Sequence, residues 1–273
     1  MSIPVDYKIP CDISEAVWNN ALQNPARIVA IKAEATPTVW LKKSTTVEGA
    51  FGRWVLTKFS NILKLPMLQA VHQPGGREAI ATEASRLQAL AVAGVQVPEL
   101  LWQNEEMVLI SDLGRKLTNY LKQHRNNHQI KLDVVKQVFT ALSELHNSGQ
   151  YLSQAFARNV TVLENADEIS IGFIDFEDDP LETMSLENAQ ARDLLLLIYS
   201  LSTYFDNCQS EYQALVTAQI FPLPENIKQQ LRCFMSKFSW LSKLPGKGRL
   251  GNGYWRLTVI TNVLRAGLEE RAN

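Results

Sequence analysis

The chain has 273 residues, 46% hydrophobic and 20% charged, with a formal net charge of −1, which is enough apolar material for one large domain or two lobes and shows no sign of an intrinsically disordered chain. The near-neutral balance argues against a phosphate-tracking surface, which would tilt the whole domain basic, so no nucleic-acid partner is expected. Three cysteines, Cys11, Cys208 and Cys233, are widely spaced and odd in number, which suits neither a disulfide framework nor a zinc site and fits a reducing cytoplasm.

The first residues, MSIPVDYKIP, lack the basic-then-apolar order of a secretory signal. Residues 27–42 read as a hairpin: RIVAIKAE and TVWLK are rich in β-branched or aromatic residues and flank a turn around Thr36-Pro37. In the segment 50–71, Val55, Phe59 and Ile62 share one helical face while Arg53, Lys58 and Lys64 lie elsewhere. A basic amphipathic helix carrying a tryptophan either lies on an anionic membrane surface or packs against the sheet beside it, and the pattern leaves both open. Arg77 to Ala93 reads as an amphipathic helix with Ile80, Ala84, Leu87 and Ala91 on one stripe and Gly94 as its stop.

Short strands at 98–102 and 107–111 follow, separated by the acidic turn Gln103-Asn104-Glu105-Glu106. Beyond Asp112-Leu113-Gly114 helices dominate, at about 116–123, 131–147, 186–205, 208–219, 224–240 and 255–270, and only 160–175 reads as strand. The longest strongly apolar run, Leu194 to Leu201, is well short of the ~20 residues that span a bilayer and reads as a buried helix. Strands first and helices later predict an α+β protein, with a sheet-rich lobe over residues 1–114 and a helical lobe over 115–273.

The chemistry concentrates in IGFIDFEDDP, residues 171–180, an apolar strand that ends in Asp175-Phe176-Glu177-Asp178-Asp179. Carboxylates at a strand end suit a magnesium ion engaged in phosphate chemistry. Asn159 to Ala191 holds nine acidic residues and no Lys or Arg, a face that repels polyphosphate unless a metal inverts its sign. A solvated acidic loop is the plainer reading. From Lys228 onward nine Lys or Arg residues face only Glu269 and Glu270, and PGKGRLGNG, with Lys247 and Arg249, is either an anion site or a plain loop.

The order of hairpin, Val39-Trp40-Leu41-Lys42, helix with Glu83, GVQVP, strand, short hinge, long helix ending in Leu145-His146-Asn147-Ser148-Gly149, Arg158-Asn159 and Ile174-Asp175-Phe176 resembles the protein-kinase-like superfamily. Within it the chain resembles the branch of bacterial lipopolysaccharide core kinases and atypical small kinases, over about residues 27–205. The resemblance implies a bilobal kinase-like fold with ATP and Mg as cofactors. It further implies phosphoryl transfer to a hydroxyl of a sugar, a lipid-linked glycan or another small molecule, in the cytoplasm or at the periphery of the inner membrane.

Residue by residue, the resemblance implies that Lys42 touches the α- and β-phosphates and pairs with Glu83, with Glu78 as the alternative partner and Lys43 on the opposite face. It implies main-chain contacts to adenine from Ser111 and Leu113, in the turn Leu109–Gly114. Asn159, Asp175 and Glu177 become the metal ligands, Asp175, Asn159 and Gln154 the catalytic set, and Asp193 the residue that fixes the catalytic-loop backbone.

Two departures stand out. The turn Ala35-Thr36-Pro37 has no glycine with which to fold over phosphates, and Gln154 stands five residues before Asn159, where the family has its catalytic aspartate. Leu152 likewise replaces a histidine that often precedes that aspartate. A glutamine orients a hydroxyl but does not take its proton as a carboxylate does, which leaves Glu177 or Asp178 as substitutes. A module that binds nucleotide without turning it over is therefore the alternative reading.

Overall fold

A computed structural model of the chain describes residues 13–32, 37–45, 65–71, 75–152, 154–164, 168–238 and 251–269, with side chains of the last stretch from 256 to 268. Its first element is a helix absent from the expected order, α1 (Glu15–Gln23), where Ser14 accepts the Val17 N–H at 3.3 Å and Glu15 sits in the first turn. Trp18 turns inward and packs edge-on against Trp102, with ring centroids 5.5 Å apart.

The expected hairpin forms as β1 (Ile28–Ile31) and β2 (Val39–Lys43), antiparallel, with Ile28 opposite Lys42. The helix that follows is α2 (Gly76–Val92), and the next two strands are β3 (Leu100–Gln103) and β4 (Met107–Ser111). Together the strands make one antiparallel sheet in the order β1-β2-β4-β3, which puts the lysine strand inside the sheet. Alternation along β2 sends Leu41 to one face and Lys42 to the other. Val29, Leu41 and Leu109 bury the first face against Trp18 of α1.

Past Gly114 a two-residue strand, β5 (Arg115–Lys116), leads into α3 (Leu117–Gln123) and the long α4 (His128–Asn147). The single strand region expected at 160–175 is a hairpin, β6 (Val160–Glu164) and β7 (Ile169–Phe173), because polar residues after Leu163 interrupt the apolar run. With β5 it forms a second small sheet in the order β5-β6-β7. Then come α5 (Leu186–Leu201), α6 (Gln209–Ile220), α7 (Glu225–Phe238) and α8 (Gly251–Glu269). α5 stops four residues short of the expected end, and Ser202–Tyr204 form a 3-10 turn instead.

The architecture is α+β, a small antiparallel sheet set against a helical region. One large apolar cluster runs from α2 and the inner side of β4 through α4 to α5 and α8, so the core is continuous across residue 114. Most of the segment expected to be an amphipathic helix, residues 50–64 of 50–71, lies outside the described residues. Its end, Leu65 to Leu68, makes a 3-10 turn that buries Leu65 and Met67 in that cluster. No helix among the described residues is long and apolar enough to cross a membrane.

Candidate functional site

A cavity of about 240 Å3 opens between the first sheet and the β6–β7 hairpin. From the sheet comes Lys42, whose Nζ donates to Glu83 Oε1 at 2.6 Å, joining β2 to the middle of α2. Glu83 is 1% exposed, and its second oxygen, Oε2, has no partner among the described residues. Glu78, the alternative partner, is exposed. Lys43 points the other way and donates to the carbonyls of Leu22 and Asn24, closing the C-terminal end of α1.

The hairpin supplies the opposite wall. Its register sets Val160 opposite Phe173, and the Ile174 N–H donates to the Asn159 carbonyl at 2.9 Å, so Asn159 and Asp175 emerge at the same end and both line the cavity. Asp175 adopts φ +77°, alone among the described non-glycine residues. That left-handed conformation costs an L-residue of order 1–3 kcal/mol and persists only where the surroundings over-determine it.

Lys42 meets Asp175 Oδ1 at 3.4 Å and Glu177 Oε1 at 3.0 Å, and Arg27 forms an ion pair with the other oxygen of Glu177. Burial pushes the Lys42 ammonium down, but Glu83, Asp175 and Glu177 outweigh it and hold it above the usual lysine value. Burial likewise pushes the Glu177 carboxyl up, and Lys42 and Arg27 overcome this to hold it below the ordinary range. Glu83 has the reverse balance, with burial raising it against the pull of Lys42. Glu83, Asp175 and Glu177 each bring an oxygen within 4.8 Å of the others. The ammonium of Lys42 already stands among these three carboxylates, where a metal ion held by them would sit.

No protein-family model and no curated protein matches the chain.

Gln154 is held at both ends. Its amide nitrogen donates to Asp178 Oδ2 at 3.3 Å, its amide oxygen accepts from Arg158 at 3.2 Å, and its carbonyl accepts the Asn159 side-chain amide at 3.0 Å. The last bond ties the Asn159 side-chain nitrogen to the loop, and Asn159 lines the cavity. Asp178 is 3% exposed, and burial pushes its carboxyl up to about 6. Beneath the loop, fully buried Asp193 accepts the Leu152 N–H at 2.7 Å and lies 3.2 Å from His146 Nε2. Arg86 stacks on the Tyr151 ring and donates to its carbonyl at 2.7 Å. These bonds pin the stretch from Gln150 to Asn159 to α2, α4 and α5.

Ser111 and Leu113 both line the cavity. The Ser111 hydroxyl, in place of a ladder carbonyl, takes the Glu99 N–H at 2.8 Å, and Trp40 Nε1 donates to Asp112 at 2.7 Å across the mouth. Gly114 turns the chain with φ +89°, against the Val162 carbonyl. Among the lining residues that sequence reasoning did not assign to the site are Arg27, Trp40 and Thr161, whose buried hydroxyl has no partner among the described residues. Trp40, flagged only as part of the strand motif, and Arg27, at the edge of a strand pattern, carry no local signal of a site.

Proposed function

We propose that the chain is a kinase-like protein that binds ATP with Mg2+ in this cavity. The observation that carries the reading is Lys42, gripped by buried Glu83 at 2.6 Å and facing Asp175 from 133 residues away at 3.4 Å. A lysine fixed by one carboxylate and aimed at another across a cleft is what holding a polyphosphate and its metal requires. Asp175 and the side-chain oxygen of Asn159 are hard oxygen donors at one end of the hairpin and fit Mg2+. Glu177 fits less well, since two cations already take its oxygens. When bound, the metal supplies charge neutralisation on the phosphates. Ser111 and Leu113 line the cavity with Ile110 and Pro98, and the Ser111 carbonyl and the Leu113 main chain are the contacts this reading assigns to an adenine edge.

The resemblance adds transfer to a hydroxyl of a sugar, lipid-linked glycan or other small molecule. Binding without turnover is the second reading, and Gln154 favours it. The position of the missing base holds an amide committed to Asp178 and Arg158, and Asp178 itself is too buried to meet an acceptor hydroxyl without movement of the loop.

Thermal melts test the first reading. ATP with Mg2+ at a hundred times its Kd stabilises a binding protein by about 2.7 kcal/mol, and Asp175→Ala should remove the Mg2+-dependent part. A parent protein whose melt ignores ATP and Mg2+ refutes the proposal. A shift without hydrolysis or transfer to sugar and glycolipid acceptors selects the second reading.

A further inference from the structure

We propose that Arg27 and Lys42 form a two-cation clamp for the phosphates of a nucleotide, with Glu177 filling the clamp in the ligand-free protein. The inference rests on the reading of the cavity as a nucleotide site and adds to it a residue from outside the kinase-like pattern. The backbone delivers Arg27 to the right place. Its carbonyl accepts the Lys43 N–H at 2.9 Å and Ile28 lies opposite Lys42, so residue 27 stands at the lysine's end of the sheet.

One carboxylate, two cations and one oxygen on each is the arrangement a phosphate group presents to a pair of basic side chains. Lys42 holds Oε1 of Glu177 at 3.0 Å and Arg27 holds Oε2. Arg27 Nε has no partner among the described residues and, being shielded from water, becomes a donor to a ligand only when the side chain shifts. A guanidinium offers its donors as a planar fork that matches phosphate oxygens better than an ammonium does. The connection from β1 to β2, residues 32–38, contains no glycine, the residue type on which a main-chain phosphate cradle usually relies, and side-chain cations suit that task instead.

Burial separates the permanent partner from the exchangeable one. Glu83 is 1% exposed at its side chain and cannot leave Lys42 without stranding a buried charge. Glu177 is 22% exposed and paired with a guanidinium that is itself 38% exposed, so it can swing to water at small cost when phosphate arrives. Three carboxylates on two cations leave this end of the cavity negative. A nucleotide therefore enters more readily once Glu177 has been displaced or neutralised.

Calorimetric binding to the full chain with Mg2+ present tests the clamp, using ATP, ADP and adenosine as probes on the parent, Arg27→Ala, Arg27→Lys and Glu177→Gln. Arg27→Ala should weaken ATP and ADP at least about tenfold while adenosine stays within about twofold, and Arg27→Lys should recover part of the loss. Glu177→Gln should tighten ATP severalfold, because the competitor has lost its charge. The far-UV circular dichroism and melting point of each variant show that it is folded, and Arg27→Lys keeps the cation if the alanine variant is not. ATP affinity unchanged in Arg27→Ala, or weakened in Glu177→Gln as for a metal ligand, overturns the clamp while leaving the nucleotide reading intact. A parent that binds neither ATP nor adenosine overturns both.

Discussion

Replacing Lys42 by methionine isolates the buried ion pair. Methionine keeps most of the stem's volume and removes the charge, leaving the Glu83 carboxylate 1% exposed with no cation in contact. The buried group escapes by taking up a proton, which limits the penalty. For a carboxyl with an ordinary value of 4.5, protonation at pH 7 costs about 1.4 kcal/mol per pH unit, or about 3.4 kcal/mol in all, and at pH 5 about 0.7 kcal/mol. Asp175 and Glu177 also lose a partner, but each is partly solvated and adds little.

The sign follows from Glu83, whose folded value burial raises above its unfolded one. Its penalty is absent below the unfolded value and grows as the pH rises toward and through the folded one. Lys42→Met should therefore cost about 3 kcal/mol at pH 7 and less than about 1 kcal/mol at pH 5. Urea unfolding followed by tryptophan fluorescence measures both. Adding Glu83→Gln to the Lys42→Met background should restore most of the loss at pH 7. The reasoning is refuted by a cost equal at the two pH values, or by a double variant no more stable than Lys42→Met.

Two further predictions concern the loop and the turn. Burial raises Asp178 to about 6 from 3.8, so its ionisation opposes folding, and that cost is absent below the unfolded value and complete above the folded one. Asp178→Asn should gain on the parent by about 2–3 kcal/mol between pH 4 and pH 7 in urea titrations at each pH, whereas a difference that ignores pH contradicts the assignment. Gly114→Ala forces a Cβ onto a residue at φ +89° and to 2.7 Å from the Val162 carbonyl. It should cost at least about 2 kcal/mol in the same assay, and a neutral result would falsify the tight approach of the two segments.

The legible part of the site came from short-range pattern. Period-two alternation along β2 separates Lys42 from Lys43, and the structure sends the first to Glu83 and the second to the carbonyls ending α1. The resemblance offered Glu83 with Glu78 as the alternative, and the structure decides between them by burying Glu83 on the inner side of α2 and leaving Glu78 exposed. Asp193 beside a leucine run reads as a buried carboxylate in need of donors, and it has them in Leu152 and His146. α1 was missed, although it carries a local signal, with capping Ser14 followed by Val17, Trp18 and Ala21 at helical spacing.

Arg27 and Glu177 lie 150 positions apart, and no periodicity links a strand edge to a loop that distant. Their pairing depends on how the first sheet stands over the β6–β7 hairpin. The same stacking places Lys42 among three carboxylates and holds Asp175 at positive φ. Asp178, one residue on from Glu177, reads the same in the sequence, yet it is buried beneath Gln154 while Glu177 faces the cations. By itself the sequence determined most of the elements and the face each one buries, since these follow from local geometry and the removal of apolar area from water, whereas the lysine–glutamate pair came from the resemblance with Glu78 still open. Only the tertiary structure decided which charges share one cavity and which are cut off from solvent, because Coulomb energies depend on distances and dielectric surroundings that exist once distant segments have packed together.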